Sequence, residues 1–232
     1  MYPSTGLPIT RASPLLCLLL AGMLNLAGPS PCSGEEFTLS QQALASVRQE
    51  YGEQALQRIS YWQDMILSSI GLDDMQKLAM TNVFFNQVKF VSDIEHWGKE
   101  DYWATPVQML ASNGGDCEDF SIAKYFTLRQ MGIPAERMRL TYVKAVELNQ
   151  AHMVLTYYST PDADPLVLDN LVTEIRTSSS RTDLLPVYSF NGNGLWLVKA
   201  RGMDQQVGDP ERLSRWKEVI ARISDEQFVP PR

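Results

Sequence analysis

The chain has 232 residues, 44% of them hydrophobic, a composition that provides for one substantial folded domain and excludes a disordered chain. Its 20 basic and 27 acidic residues give a net charge of −7. Because binding to phosphate backbones needs a basic patch, this balance disfavours nucleic acid as a partner and favours a protein or peptide substrate, or a cation.

Residues 1–34 have the pattern of a signal peptide. A single basic residue, Arg11, precedes an apolar run at residues 15–20, and small and turn-forming residues follow at 27–30. The run is shorter and more broken than the roughly 20 apolar residues of a membrane span. We expect cleavage near Gly34, which leaves 19 basic and 27 acidic residues, a net charge of −8, in a periplasmic protein with no membrane insertion. A retained N-terminal anchor is the alternative.

The three cysteines do not form a disulfide framework. Cys17 lies within the predicted leader and Cys32 lies at its border. Cys117 is then effectively alone in the mature chain, an unpaired thiol in an oxidising compartment.

Apolar residues recur at helical spacing through the first half of the mature chain. They predict one or two amphipathic helices over residues 40–67 and another helix over 73–89. An acidic, aromatic loop follows at 93–106, and then a short helix that ends at Asn113. Residues 116–130 have helical composition, and a glycine and a proline soon after them act as a stop signal.

After this helix the apolar pattern changes to that of strands, rich in Val, Tyr, Thr and Leu. The predicted strands cover residues 139–146, 152–158, 166–168, 187–190 and 195–199, with a hairpin turn at 191–194. A last amphipathic helix is predicted over 210–223. The pattern indicates one α+β domain over residues 35–232, with helices packed on an antiparallel sheet.

The most informative segment surrounds Cys117. Gly114 and Gly115 are expected to let the chain turn sharply, so that Cys117 falls in the first turn of a helix. There the unpaired backbone N–H groups and the helix dipole favour a thiolate. The same backbone can supply a donor for the oxyanion of an acyl-transfer reaction.

A thiolate nucleophile needs a base, and the chain has only two histidines. His96 lies in the acidic loop, whereas His152 lies at the start of a predicted strand and Asp169 at the end of another. Strand ends can present both side chains beside the helix of Cys117. The expected site is a Cys117, His152, Asp169 triad in which the carboxylate orients the imidazole. Taken singly, each residue also fits a structural role.

Several motifs of the mature chain resemble those of the bacterial transglutaminase-like cysteine proteinases, in particular the LapG-type periplasmic proteases. The matching segments are residues 101–106 (DYWATP), 115–119 (GDCED), 121–125 (SIAKY), 151–154 (AHMV) and 168–170 (LDN). The resemblance implies a papain-like or transglutaminase-like core and cleavage of a large surface adhesin near its N-terminus, at an Ala-Ala site, with biofilm dispersal as the result. It also implies calcium dependence and inhibition by the periplasmic domain of an inner-membrane cyclic-di-GMP receptor.

Three acids beside the nucleophile oppose thiolate formation: Asp116, Glu118 and Asp119. Each disfavours the thiolate by roughly 2.8 kcal/mol at a separation of about 6 Å and a dielectric constant of about 20. A hard cation with oxygen ligands would neutralise them and tie the acidic loop, which carries Glu95, Glu100 and Asp101, to the helix. From the residues alone a solvated acidic face fits equally well. The resemblance favours calcium, held by Asp116, Glu118, Asp119 and Asp101.

Other assignments stay open at the level of the sequence. Asn86 or Gln87 could donate an amide to the oxyanion hole, or could be an ordinary surface or capping residue. Trp97, Tyr102 and Trp103 could line a substrate cleft or belong to the core. The rival functions are a transglutaminase, which uses the same triad to transfer the acyl group to an amine, and a non-catalytic interaction module.

Overall fold

The structure is a computed structural model that describes residues 39–198 and 204–226. The predicted leader, with Cys17 and Cys32, lies outside the described residues. Among the helices that are described, none combines the length and the apolar character that crossing a bilayer requires.

The first predicted helical region forms two helices, α1 (Gln41–Tyr51) and α2 (Glu53–Ser68). They separate at Gly52, whose φ of 83° lies in the left-handed region that glycine tolerates. The buried residues of α2 follow the predicted helical period: Ala55, Ile59, Trp62 and Ile66. Helix α3 (Asp74–Phe85) begins with a capping box between Asp73 and Gln76.

The central part of the chain contains three helices and one small parallel strand pair. The predicted acidic loop includes a short helix, α4 (Asp93–His96), and α5 (Pro106–Ser112) follows it. Strands β1 (Lys89–Phe90) and β2 (Gly114–Gly115) pair in parallel. Helix α6 (Cys117–Gln130) is buried almost throughout, from Asp119 to Leu128. It begins one residue later than the sequence indicates because Asp116 is its N-cap.

A seven-stranded antiparallel sheet makes up the second half of the described chain. Its order is β6-β5-β4-β3-β7-β8-β9. The strands are β3 (Met138–Ala145), β4 (Gln150–Tyr157), β5 (Leu166–Leu168), β6 (Arg176–Thr177), β7 (Leu184–Asn191), β8 (Gly194–Val198) and β9 (Asp204–Gly208). The 191–194 hairpin is confirmed by the pairing of β7 with β8. Helix α7 (Ser214–Asp225) follows β9.

Helix α6 packs on β4 and β3 and on the N-terminal helices, so the core lies on both of its sides. An aromatic cluster fixes its C-terminal half, since Phe126 stacks on Trp216 with ring centroids 5.6 Å apart. Trp103 stacks on Phe190 at 5.8 Å and is buried, so it belongs to the core. This α+β arrangement, in which the helix that begins with Cys117 packs on an antiparallel sheet, confirms the predicted fold class.

Candidate active site

Cys117 is the first residue of α6 and is half-buried. A side chain one turn further along ties this end of the helix to the sheet. The Ser121 hydroxyl lies 2.9 Å from the carbonyl oxygen of Cys117 and 3.0 Å from that of Met153 in β4. Since Met153 follows His152, this contact holds the thiol beside the strand that carries the imidazole.

His152 and Asp169 form a buried pair. Nε2 of His152 lies 2.8 Å from Oδ1 of Asp169, and the backbone N–H of Leu171 donates to the same oxygen at 3.0 Å. Leu155 of β4 pairs in antiparallel register with Leu168, the last residue of β5. Asp169 follows Leu168 and therefore lies towards the residues that precede Leu155, which include His152. With Nε2 donating to the carboxylate, Nδ1 is the ring nitrogen that can accept a proton from a thiol.

Arg181 also contacts this pair, and no motif of the sequence marks it. Its Nη2 lies 2.8 Å from Oδ2 of Asp169, and its Nε lies 2.9 Å from Oδ1 of Asp183. Burial acts to raise the pKa of Asp169, but the hydrogen bonds from His152, Leu171 and Arg181 outweigh it and hold that pKa at about 2. The carboxylate is therefore ionised throughout the neutral range.

An acidic cluster lies at the start of α6. It consists of Asp93, Asp116 and Asp119, and one carboxylate oxygen of each lies within 4.8 Å of the others. The backbone N–H of Ala104 donates to Asp119 at 2.6 Å, and that of Tyr102 donates to Asp93. Asp93 was not singled out from the sequence; its only signal was its place in the acidic loop.

The cluster has the properties of a cation site. Oδ1 of Asp93 and Oδ1 of Asp116 are buried without a hydrogen-bond partner. Burial and neighbouring negative charge raise the pKa of Asp93 to about 6 and that of Asp116 to about 8, and burial likewise raises the pKa of Asp119. Three oxygen donors that are costly to ionise together fit a hard divalent cation.

Glu118 faces the thiol directly. Sγ of Cys117 donates to Oε2 of Glu118 at 3.0 Å, and Asp116 lies in the same close group. Burial, Glu118 and Asp116, in that order of importance, raise the pKa of the Cys117 thiol, while a backbone hydrogen bond from Met153 acts to lower it. The conflict between the acids and the thiolate that the sequence predicts is therefore present in the structure.

Asp101 is not placed in either close group of acids found among the described residues. Its Oδ2 lies 3.2 Å from Nε of Arg215, and its Oδ1 accepts from the Trp103 indole at 2.9 Å. It lies near enough to raise the pKa values of Asp93 and Asp116 by its charge. Its role as a metal ligand stays a prediction.

Asn86 and Gln87, the two candidates for the oxyanion hole, and His96, the second histidine, differ in how close they lie to the site. Asn86 lies at the site, where its amide donates to the backbone oxygen of Asp169 at 2.9 Å. Gln87 is exposed, and its amide donates to the backbone oxygen of Val83 in α3 at 3.4 Å. His96 lies 2.7 Å from the Ser112 hydroxyl rather than beside His152 and Asp169.

The expectation that Gly114 and Gly115 provide a sharp turn is wrong. They form β2, and the left-handed residue is Asn113, with a φ of 56°. The glycines are instead sites of close approach. A Cβ on Gly114 would lie 2.7 Å from Cε1 of His96, and one on Gly115 would lie 2.6 Å from Oδ2 of Asp119.

Gly115→Ala is therefore expected to destabilise the protein by about 1–3 kcal/mol, because the new methyl group displaces the Asp119 carboxylate. Gly192→Ala is the matched control, since its Cβ would meet only the Tyr125 hydroxyl at an ordinary 3.5 Å. Chemical denaturation of the two variants measures the difference. Equal free energies of unfolding would contradict the close-approach explanation.

The fold and the site together define a cysteine protease with a transglutaminase-like fold. The chain belongs to the bacterial transglutaminase-like cysteine proteinases (BTLCP), since the sequence pattern of that family matches residues 49–190, more than half of the chain.

Solved structures of a protein from Legionella pneumophila, LapG, are similar to this chain. An EGTA-treated form is 39% identical, with a TM-score of 0.71, covering 81% of this chain and 99% of the other. A calcium-bound form is 40% identical, with a TM-score of 0.68, covering 78% of this chain and 98% of the other. A comparison with curated proteins gives no match.

Proposed function

We propose that the protein is a calcium-dependent periplasmic cysteine endopeptidase that cleaves the N-terminal region of a large surface adhesin, at an Ala-Ala type of site. In this proposal Cys117 is the nucleophile, His152 the general base and acid, and Asp169 the residue that orients His152. The buried 2.8 Å contact between His152 and Asp169 is the observation that carries it, since His152 lies in the strand that Ser121 ties to the start of α6.

The proposed reaction proceeds through a thioester on Cys117. Cys117 transfers its proton to Nδ1 of His152, and the sulfur attacks the scissile carbonyl carbon. The negative charge on the resulting oxyanion is stabilised by backbone N–H groups in the first turn of α6. His152 then protonates the leaving amine, which departs and leaves a thioester. Water, deprotonated by His152, hydrolyses the thioester and regenerates the thiol.

Calcium is proposed to be held by Asp116, Glu118 and Asp119, with Asp93 as a further ligand and Asp101 as an outer contributor. Carboxylates suit this cation, and one of the similar Legionella structures is calcium-bound. The bound ion would supply positive charge that offsets the acids around the thiol. Asp119 connects the loop to the catalytic helix, because it accepts from Ala104, while Asp93 accepts from Tyr102 within the loop.

The biological setting is proposed from the family resemblance. Release of the adhesin would promote biofilm dispersal, and the periplasmic domain of an inner-membrane cyclic-di-GMP receptor would inhibit the protease. A signal peptide over residues 1–34 would deliver the chain to the periplasm, consistent with a described part that contains no helix able to span a membrane.

Product analysis tests this function. The protein is incubated with an adhesin N-terminal fragment that contains an Ala-Ala pair, with Cys117→Ala as the control. We expect a new N-terminus within the Ala-Ala region for the wild type and none for the variant. A mass gain in the presence of a primary amine, without a new N-terminus, would instead identify a transglutaminase. Cleavage by the variant would contradict the nucleophile.

A further inference from the structure

Arg181 connects two carboxylates behind the catalytic histidine. Its Nη2 lies 2.8 Å from Oδ2 of Asp169 and 2.7 Å from Oδ2 of Asp183, while its Nε lies 2.9 Å from Oδ1 of Asp183. Only 3% of the Arg181 side chain is exposed, against 32% for Asp183. The guanidinium is thus buried at Asp169 and anchored from the surface side by Asp183.

The backbone around Arg181 fixes it further. It follows a turn of 3-10 helix (Ser178–Ser180), and its N–H donates to the oxygen of Ser178 at 3.2 Å. Its own carbonyl accepts from Leu184, the first residue of β7, at 3.2 Å. The position of the guanidinium therefore depends on the sheet and not on a free loop.

The two carboxylate oxygens of Asp169 accept hydrogen bonds from different partners. Oδ1 accepts from His152 and from the N–H of Leu171, and Oδ2 accepts from Arg181. A carboxylate held at both oxygens cannot rotate about its χ2 angle without losing a charge-assisted hydrogen bond. The orientation of His152 then depends on Arg181 as well as on Asp169.

We propose that Arg181 is a positioning residue, which locks the Asp169 carboxylate so that His152 keeps its proton on Nε2 and presents Nδ1 to Cys117. The proposal rests on the proposed function, in which His152 is the base. Outer partners of a functional histidine commonly contribute about 10- to 100-fold to activity in metal sites, where the ring is oriented in the same way.

The other polar groups near Asp169 do not replace Arg181. Lys124 is buried in α6 and acts on Asp169 through its charge, but its ammonium lies 2.8 Å from the Asn82 side-chain oxygen. Asn86 contacts the backbone oxygen of Asp169 rather than its carboxylate. Among the hydrogen bonds described, Arg181 is the one side chain other than His152 that donates to this carboxylate.

The test compares Arg181→Gln, Arg181→Lys and Asp183→Asn with Arg176→Gln, a control in which an exposed arginine paired with Glu174 is altered. We expect Arg181→Gln to lower kcat by about 10- to 100-fold with KM little changed. Arg181→Lys should recover part of that loss, because it retains the charge but not the fork geometry. Asp183→Asn should give an intermediate loss, and Arg176→Gln should have none.

A second measurement is independent of activity. Nitrogen-15 NMR of histidine-labelled protein, in a Cys117→Ala background, reports the imidazole tautomers. The mature chain contains only His152 and His96, so His96 is an internal reference. We expect His152 to be in the Nε2–H form when Arg181 is present, and to populate both tautomers in Arg181→Gln while His96 is unchanged.

An unchanged tautomer together with an unchanged kcat would overturn the positioning role, even if the thermal midpoint fell. If Arg181→Gln does not fold, the Asp183→Asn and Arg181→Lys variants decide the question by the same two measurements. Failure of the proposed function is distinguishable, because the wild type would then not cleave the adhesin fragment although the tautomer result could still support Arg181.

Discussion

Asp169→Asn is expected to lower kcat by about 10²- to 10⁴-fold, and His152→Gln by at least as much. The asparagine can turn its amide group towards Nε2, which removes the acceptor that fixes the Nε2–H tautomer and the charge that stabilises the imidazolium. Because the pKa of Asp169 is about 2, the wild-type carboxylate is ionised at every pH of the assay. Steady-state kinetics on a fluorogenic peptide, with thermal midpoints as a check on folding, measures both losses.

The double variant gives the sharper result. Since Asp169 acts through His152, the combined His152→Gln and Asp169→Asn variant should lose no more activity than His152→Gln alone. His96→Gln is the matched control, because the His96 ring contacts Ser112 and lies outside the catalytic pair. Additive losses in the double variant, or an equal loss in the control, would contradict the assignment of these roles.

Much of the fold could be predicted because its elements have strong local signals. The apolar period of α2 and the hairpin turn before β8 both appear in the structure where the sequence indicates them. Strand β9 was missed because its five residues, Asp-Gln-Gln-Val-Gly, include a single large apolar residue. Strand β6 was missed because two residues, Arg176–Thr177, carry no period at all.

The site was less predictable wherever it depends on contacts between distant segments. His152 and Asp169 follow from strand order, but Arg181 reaches Asp169 from the connection that leads into β7, and no motif marks it. Asp93 joins the acidic cluster only because Tyr102 and Ala104 bring the loop against α6. The glycines before Cys117 were correctly noticed but wrongly explained, since their role is to allow the approach of His96 and Asp119.

Removal of calcium with EGTA is expected to abolish cleavage, and restored calcium should recover it. The Cys117 thiol donates a hydrogen bond to Glu118, and burial together with Glu118 and Asp116 raises the thiol pKa, an effect that bound calcium would offset. The rate of Cys117 alkylation as a function of pH is a readout that does not need substrate. We expect calcium to move this titration to lower pH, and Glu118→Gln to do the same in part without calcium.

Substitutions of single acids distinguish the acids of the cluster from Asp101, which lies beside it. Asp116→Asn should weaken calcium binding, measured by calorimetry, and activity together, because it removes charge from an oxygen that has no other partner. Asp101→Asn is the matched comparison and should have a smaller effect, since its oxygens contact Arg215 and Trp103. An equal effect of the two variants would mean that Asp101 is a direct ligand. Activity that survives when Asp116→Asn no longer binds calcium would contradict the coupling.

The stability of the protein should depend on pH and calcium together. The pKa of Asp93 is raised to about 6 and that of Asp116 to about 8, so their stabilising contribution is complete below their unfolded pKa, near 3.8. It is lost as the pH rises through about 6 and then about 8. Calcium-free protein should therefore have a lower thermal midpoint at pH 8 than at pH 5.

Two other groups also make the stability depend on pH, and their effects must be distinguished from those of the cluster. Burial raises the pKa of Glu226 to about 7, so the stability that this group contributes is lost over the same pH range. Burial lowers the pKa of Lys124 to about 7, so the contribution of Lys124 to stability increases from pH 7 upward. Neither belongs to the cluster, so the difference between calcium-loaded and calcium-free protein isolates Asp93, Asp116 and Asp119. Free calcium at about 100 times its Kd should add about 2.7 kcal/mol. Because protons compete for the same oxygens, the calcium-induced rise should be larger at pH 8 than at pH 5, and a rise independent of pH would contradict ligation by this cluster.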